Sequence, residues 1–130
     1  MSVTQGILYA VFFLVVVVYL RRFFLTRSVK RYSATQLIDR LREGDVVLLD
    51  VRTAPEFARG SITGAVHMPA HELTRRAEEL KRFTGMEVVC YCQSGSRSLM
   101  AAARLGRLGF RASHLEGGIA EWNFAQRRKG

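Results

Sequence analysis

Apolar and polar positions divide this chain into two unlike stretches. From Ile7 to Leu20 every residue is aliphatic or aromatic, and no charged side chain precedes Arg21. Extended back to Val3, the uncharged stretch would measure about 30 Å as a helix, the depth of a bilayer's hydrocarbon core. Phe23, Phe24 and Leu25 lengthen its apolar face past Arg21 and Arg22, whose long stems can snorkel. From Ser33 the pattern becomes short blocks. "SATQLIDRLREG" predicts a capped helix with Leu37, Ile38 and Leu41 on one face and a stop at Gly44. "DVVLLDV" predicts a strand buried on both sides, "APEFARG" a helical turn with Pro55 near its start, and "GAVHMP" a short strand stopped by Pro69. "HELTRRAEELKRF" gathers Leu73, Ala77 and Leu80 on one side of a helix. "EVVCYC" predicts a strand, "SRSLMAAARLGRLG" a helix ending near Gly109, "RASHLEGG" a strand and turn, and "IAEWNFAQRR" a last helix.

Strands that alternate with helices pack as a mostly parallel central sheet with helices on both faces. The expected architecture is therefore α/β, preceded by one transmembrane helix. Residues 1–25 form the span and its interfacial flank, 26–32 a basic juxtamembrane linker, 33–126 the domain and 127–130 a basic tail.

Charge sharpens the picture of the N-terminal stretch. The chain of 130 residues carries a net charge of +9. Its first five basic residues, Arg21, Arg22, Arg27, Lys30 and Arg31, follow the apolar run rather than precede it. A secretory leader has the opposite order and a small-residue cleavage site. The positive-inside rule then places the N-terminus outside and the domain in the cytoplasm. A basic collar suits anionic headgroups. No aromatic-interleaved basic stripe suggests a nucleic-acid partner. The tail bases Arg127, Arg128 and Lys129 are as well explained by idle, solvated charge.

Chemistry concentrates at the end of the "EVVCYC" strand. Cys90 and Cys92 point to the same side but lie about 7 Å apart, beyond disulfide reach, so free thiols and a reducing compartment are expected. His67, His71 and His114 are scattered and match no zinc-ligand spacing, so no metal and no cofactor is expected. Sites in parallel sheets gather beyond the carboxyl ends of the strands. There Cys92 opens the loop Gln93, Ser94, Gly95 and Ser96, and Arg97 starts the next helix. Backbone N–H groups of such a loop can form an anion cradle, with Gly95 free to take a positive φ. The helix N-terminus and the Arg97 charge would both favour a Cys92 thiolate, which makes Cys92 the candidate nucleophile. Cys90, inside the apolar run, reads as buried and inert.

At this point the chain resembles the rhodanese-like domains. "LLDVRTAPEFARGSITGAVHMP" is similar to the family's first signature, "CQSGSRS" to its active-site loop and "LEGGIAEW" to its closing signature, in that order. Ser61 stands where the family usually has His. A membrane helix followed by one such domain is similar to small bacterial inner-membrane members.

The resemblance implies a two-step sulfurtransferase. Cys92 takes the outer sulfur of a donor such as thiosulfate or a protein persulfide, and a nucleophilic acceptor such as cyanide or a thiol removes it. It also implies a reading of Asp50 and Arg52 as a pair anchoring the site from behind, and of Glu56 and Trp122 as fold-specifying. Two other readings remain open: a membrane-tethered sulfur carrier or docking module, and a Cys-dependent phosphatase or arsenate reductase. Family analogy gives the phosphatases one more residue between Cys and Arg than the four found here.

Overall fold

A computed structural model describes residues 1–129. The first helix, α1 (Val3–Thr26), begins with a capping box in which Ser2 and Gln5 exchange hydrogen bonds. It is long and apolar enough to cross a membrane, and none of its apolar window is buried in the protein. There follow β1 (Lys30–Tyr32), α2 (Ala34–Arg42), β2 (Val46–Asp50), α3 (Ala54–Ala58) and β3 (Val66–His67). A helical stretch over Ala70–Phe83 comes next, with α4 (Leu73–Arg76) as its α-helical turn. The remainder is β4 (Glu87–Tyr91), α5 (Ser96–Arg107), β5 (Arg111–Leu115) and α6 (Gly118–Lys129).

Among the described residues the strands form one five-stranded sheet in the order β1-β5-β4-β2-β3, every pair parallel. Alternation along the central strands sends side chains to two cores. Val88, Cys90 and Cys92 join Leu49, Val51 and Met68 beneath α4 and α5. Val89 and Tyr91 join Leu37, Leu48, Leu115 and Ile119 beneath α2 and α6, where Trp122 packs half-buried. Both faces of β4 are covered, which is why its five residues read as a continuous apolar run apart from Glu87.

Three differences from the expected elements have physical causes. Residues 30–32, expected inside a linker, form the edge strand β1, pairing Lys30, Arg31 and Tyr32 with Ser113, His114 and Leu115. An edge strand needs few apolar residues, and here Tyr32 alone turns inward. The segment expected as one helix at 71–83 is instead two 3₁₀ stretches flanking α4. The last helix, expected to reach Arg128, runs to Lys129 as α6 and so takes in the residues 127–129 assigned to the basic tail, while Gly130 lies outside the described residues.

Candidate active site

Strand β4 delivers Cys92 to the carboxyl edge of the sheet, and the chain then turns sharply into α5. Gly95 makes the turn at φ +109°, and a Cβ there would sit 3.2 Å from the Gly117 nitrogen. The loop therefore curls around the sulfur. Cys92 Sγ accepts the Gly95 N–H at 3.0 Å and the Ser98 N–H at 3.4 Å, with Ser98 Oγ 3.6 Å away. Burial pushes the thiol pKa up. The Ser98 hydroxyl and the N–H groups of Ser98, Gly95 and Ser94 outweigh it, so the thiol lies below its ordinary value. Cys90, fully buried and without such donors, is pushed up to about 12 by burial, with the neighbouring Cys92 charge adding to it.

The cradle is braced from two sides. From the closing segment, the N–H groups of Ile119 and Ala120 donate to the carbonyls of Cys92 and Gln93 at 2.9 and 3.3 Å. That approach requires Gly118, where any Cβ would lie 2.5 Å from both carbonyl oxygens. From the end of β2, buried Asp50 and Arg52 form a multidentate pair, with Arg52 Nη2 2.7 Å from Asp50 Oδ2. The same guanidinium donates to the Gly60 carbonyl at 2.6 Å and to Gln93 Oε1 at 3.4 Å. Arg52 thus ties the β2–β3 loop to the cradle without reaching the sulfur. Arg52, Glu56, Arg59, Ser61, Gln93 and Asn123 line a cavity of about 510 Å³ on this side.

Arg97 stands at the mouth as expected but directs its fork elsewhere. Its two terminal nitrogens donate to the carboxylate oxygens of Glu56 at 2.7 and 2.9 Å. This pair, helped by Thr53, holds the Glu56 carboxyl well below its ordinary range. Arg97 is raised first by Glu56 and more weakly by the Cys92 charge. The expected Arg97–thiolate pairing is therefore secondary to an Arg97–Glu56 ion pair.

The family model for a Rhodanese-like domain matches residues 33–125. The chain belongs to the rhodanese-like family. A sulfurtransferase of Allochromatium vinosum is 42% identical over 79 residues, covering 60% of this chain and 72% of that protein. The crystal structure of a rhodanese-related protein from Thermoplasma volcanium superposes with a TM-score of 0.67 at 29% identity, covering 74% of this chain and 92% of that one. A thiosulfate sulfurtransferase from Pseudomonas aeruginosa superposes at 0.69 and 25% identity, covering 81% of this chain but 22% of that larger one.

Sequence reasoning missed two members of this rhodanese-like site. Ser98, six residues past the cysteine, is fully buried. Its hydroxyl donates to the Gly95 carbonyl at 3.1 Å and lies 3.1 Å from His114 Nδ1. His114, brought up from β5, is held below its ordinary pKa by burial and by Arg31. Nothing in a single serine or a single histidine sixteen positions apart signals this contact. Among the described residues no group of three His, Cys, Asp or Glu side chains could hold a metal.

Proposed function

We propose that this protein transfers sulfane sulfur through a persulfide on Cys92 and does so while anchored in a membrane by α1. The observation that carries the reading is the Cys92 sulfur held inside a ring of N–H donors with its pKa lowered. In the first half-reaction the thiolate attacks the outer sulfur of thiosulfate or of a protein persulfide. The S–S bond of the donor breaks, and sulfite or the donor thiolate leaves with the electron pair. The terminal sulfur of the Cys92 persulfide inherits the negative charge, which the N–H groups of Ser94, Gly95 and Ser98 would help to stabilise. In the second half, cyanide or a thiolate takes that sulfur and Cys92 is restored as thiolate. The four-residue loop from Gln93 to Ser96 suits one sulfur atom better than a tetrahedral phosphate, which disfavours the phosphatase reading.

The charge order around the span supports a cytoplasmic domain. A sulfur carrier would use the same persulfide and differ only in passing it to another protein.

Mass spectrometry of the purified protein after incubation with a sulfane donor tests the central step. The expected result is a gain of one sulfur atom on Cys92, removed by cyanide. Labelling confined to Cys90, or none, would overturn the reading. A reporter active only in the cytoplasm, fused after Gly130, is expected to work; activity of a periplasm-only reporter there would reverse the topology.

A further inference from the structure

The anchor helix does not merely precede the domain. Arg22 Nη2 donates to the Ser96 carbonyl at 3.2 Å and to Ser96 Oγ at 3.0 Å, joining α1 to the rim of the cradle. Farther along, Leu25 near the end of α1 and Ser28 and Val29 in the link that follows face Ala102, Ala103 and Gly106 of α5 across a shared cleft. The two helices therefore run in parallel: as α1 leaves its apolar run, α5 leaves the cradle. Ser96 lies level with Arg22, two residues past Leu20, where the unbroken apolar run ends. The carboxyl ends of the strands, and the mouth above Cys92, consequently face the plane in which the apolar run ends.

At that level a cavity of about 320 Å³ opens between the two helices. Arg22, His71, Ser96, Arg97 and Arg104 supply its polar lining, Met100 lies among its apolar lining, and no carboxylate is part of its wall. Arg97 is matched by Glu56, but Arg22 and Arg104 make no salt bridge among the described residues. Two uncompensated guanidiniums thus border one cavity, and planar forks of this kind grip tetrahedral oxyanions through paired hydrogen bonds.

We propose that this cavity seats the phosphate of an anionic phospholipid, so that the cradle works within the headgroup layer. The inference rests on α1 being a membrane span. A lipid is favoured over a free anion because the cavity, bordered by Arg22, lies where the unbroken apolar run of α1 ends. An anionic lipid is favoured over a zwitterionic one because choline or ethanolamine would bring a second cation into an arginine-lined space. Substrates then reach Cys92 along the membrane surface.

The test uses the full chain in nanodiscs of mixed phosphatidylglycerol and phosphatidylcholine, followed by native mass spectrometry of the lipids retained on release. Phosphatidylglycerol is expected to be retained with roughly tenfold preference, because each guanidinium near the surface favours the anionic lipid. Arg104→Gln and Arg22→Gln are each expected to erode that preference, and Arg42→Gln, on α2, to leave it intact. Arg104 makes no hydrogen bond in the cradle, so its variant reports on the cavity even if Arg22→Gln disturbs the loop. Equal retention of the two lipids, or displacement of phosphatidylglycerol by millimolar inorganic phosphate, would overturn the proposal. Carbonate extraction separates the two levels. A protein released by carbonate refutes the span, whereas one that stays membrane-bound without lipid preference refutes only the seat.

Discussion

Strand β4 begins at Glu87 and runs directly into Cys92, so a single strand carries a buried carboxylate at one end and a buried thiol just past the other. Glu87 accepts the Tyr32 hydroxyl at 2.9 and 3.0 Å, Arg40 Nε at 3.0 Å and the Ser113 hydroxyl. Burial pushes its pKa up, and the Ser113 and Tyr32 hydroxyls together with the Lys30 and Arg40 charges bring it below the ordinary value. Its oxygens are saturated and a full cation sits against them. The groups closest to Cys92 Sγ are backbone N–H groups and one hydroxyl, and the nearby Arg97 is engaged first by Glu56. On the proposed function, the difference separates a structural anion from a reactive one. A contacting cation neutralises charge and blocks approach, whereas converging dipoles stabilise the charge and leave the sulfur a face with which to attack.

Removing either anion breaks the contrast most directly. Cys92→Ser is expected to abolish sulfur transfer to cyanide while the fold survives, measured as thiocyanate formation beside circular dichroism. Cys90→Ser is expected to keep substantial activity at a cost of about 1–3 kcal/mol for a buried hydroxyl without a partner. At the other end, Glu87→Ala is expected to lower stability by about 3 kcal/mol, since it strands buried partners of a lost charge. Its check is urea denaturation of the detergent-solubilised protein, with the pH profile of Cys92 alkylation unmoved. The lowered Glu87 pKa means its stabilisation is fully present above about pH 4.5 and is lost as pH falls through the lower folded value. Glu87→Gln should flatten that acid limb.

A smaller effect sharpens the cradle itself. Ser98→Ala removes the hydroxyl 3.6 Å from Cys92 Sγ and should raise the Cys92 pKa. The midpoint of iodoacetamide reaction against pH should move up accordingly; an unmoved midpoint would show that the N–H groups act alone. The smallest effect is expected for Glu56→Gln, which breaks a partly exposed pair worth ~0.5 kcal/mol. It frees Arg97 to turn toward the sulfur, and the same alkylation profile should shift slightly to lower pH.

The alternation of helix and strand was legible because each block announces its own period and its own stop: Ser33 and Gly44 around α2, Pro69 after β3 and Gly95 before α5. The cradle was legible for the same reason, being a continuous segment. What stayed hidden is non-local or degenerate. β1 is three residues with one inward side chain, too short for any period. Leu73, Ala77 and Leu80 repeat at intervals that 3₁₀ and α turns share over two turns, so the pattern could not separate them. The Ser98–His114 and Arg22–Ser96 contacts span 16 and 74 positions, and each depends on the folded sheet to bring its partners together.

The brace formed by Ile119 and Ala120 on the Cys92 and Gln93 carbonyls has a consequence in time. A ribosome makes the nucleophile well before it makes the segment that holds the loop in shape. Strand β1 likewise waits for β5, which must slot between β1 and β4 before the sheet is complete. Contacts of such long separation form late in folding. The loop around the thiol therefore gains its full brace only once the closing segment has been made and has docked on it.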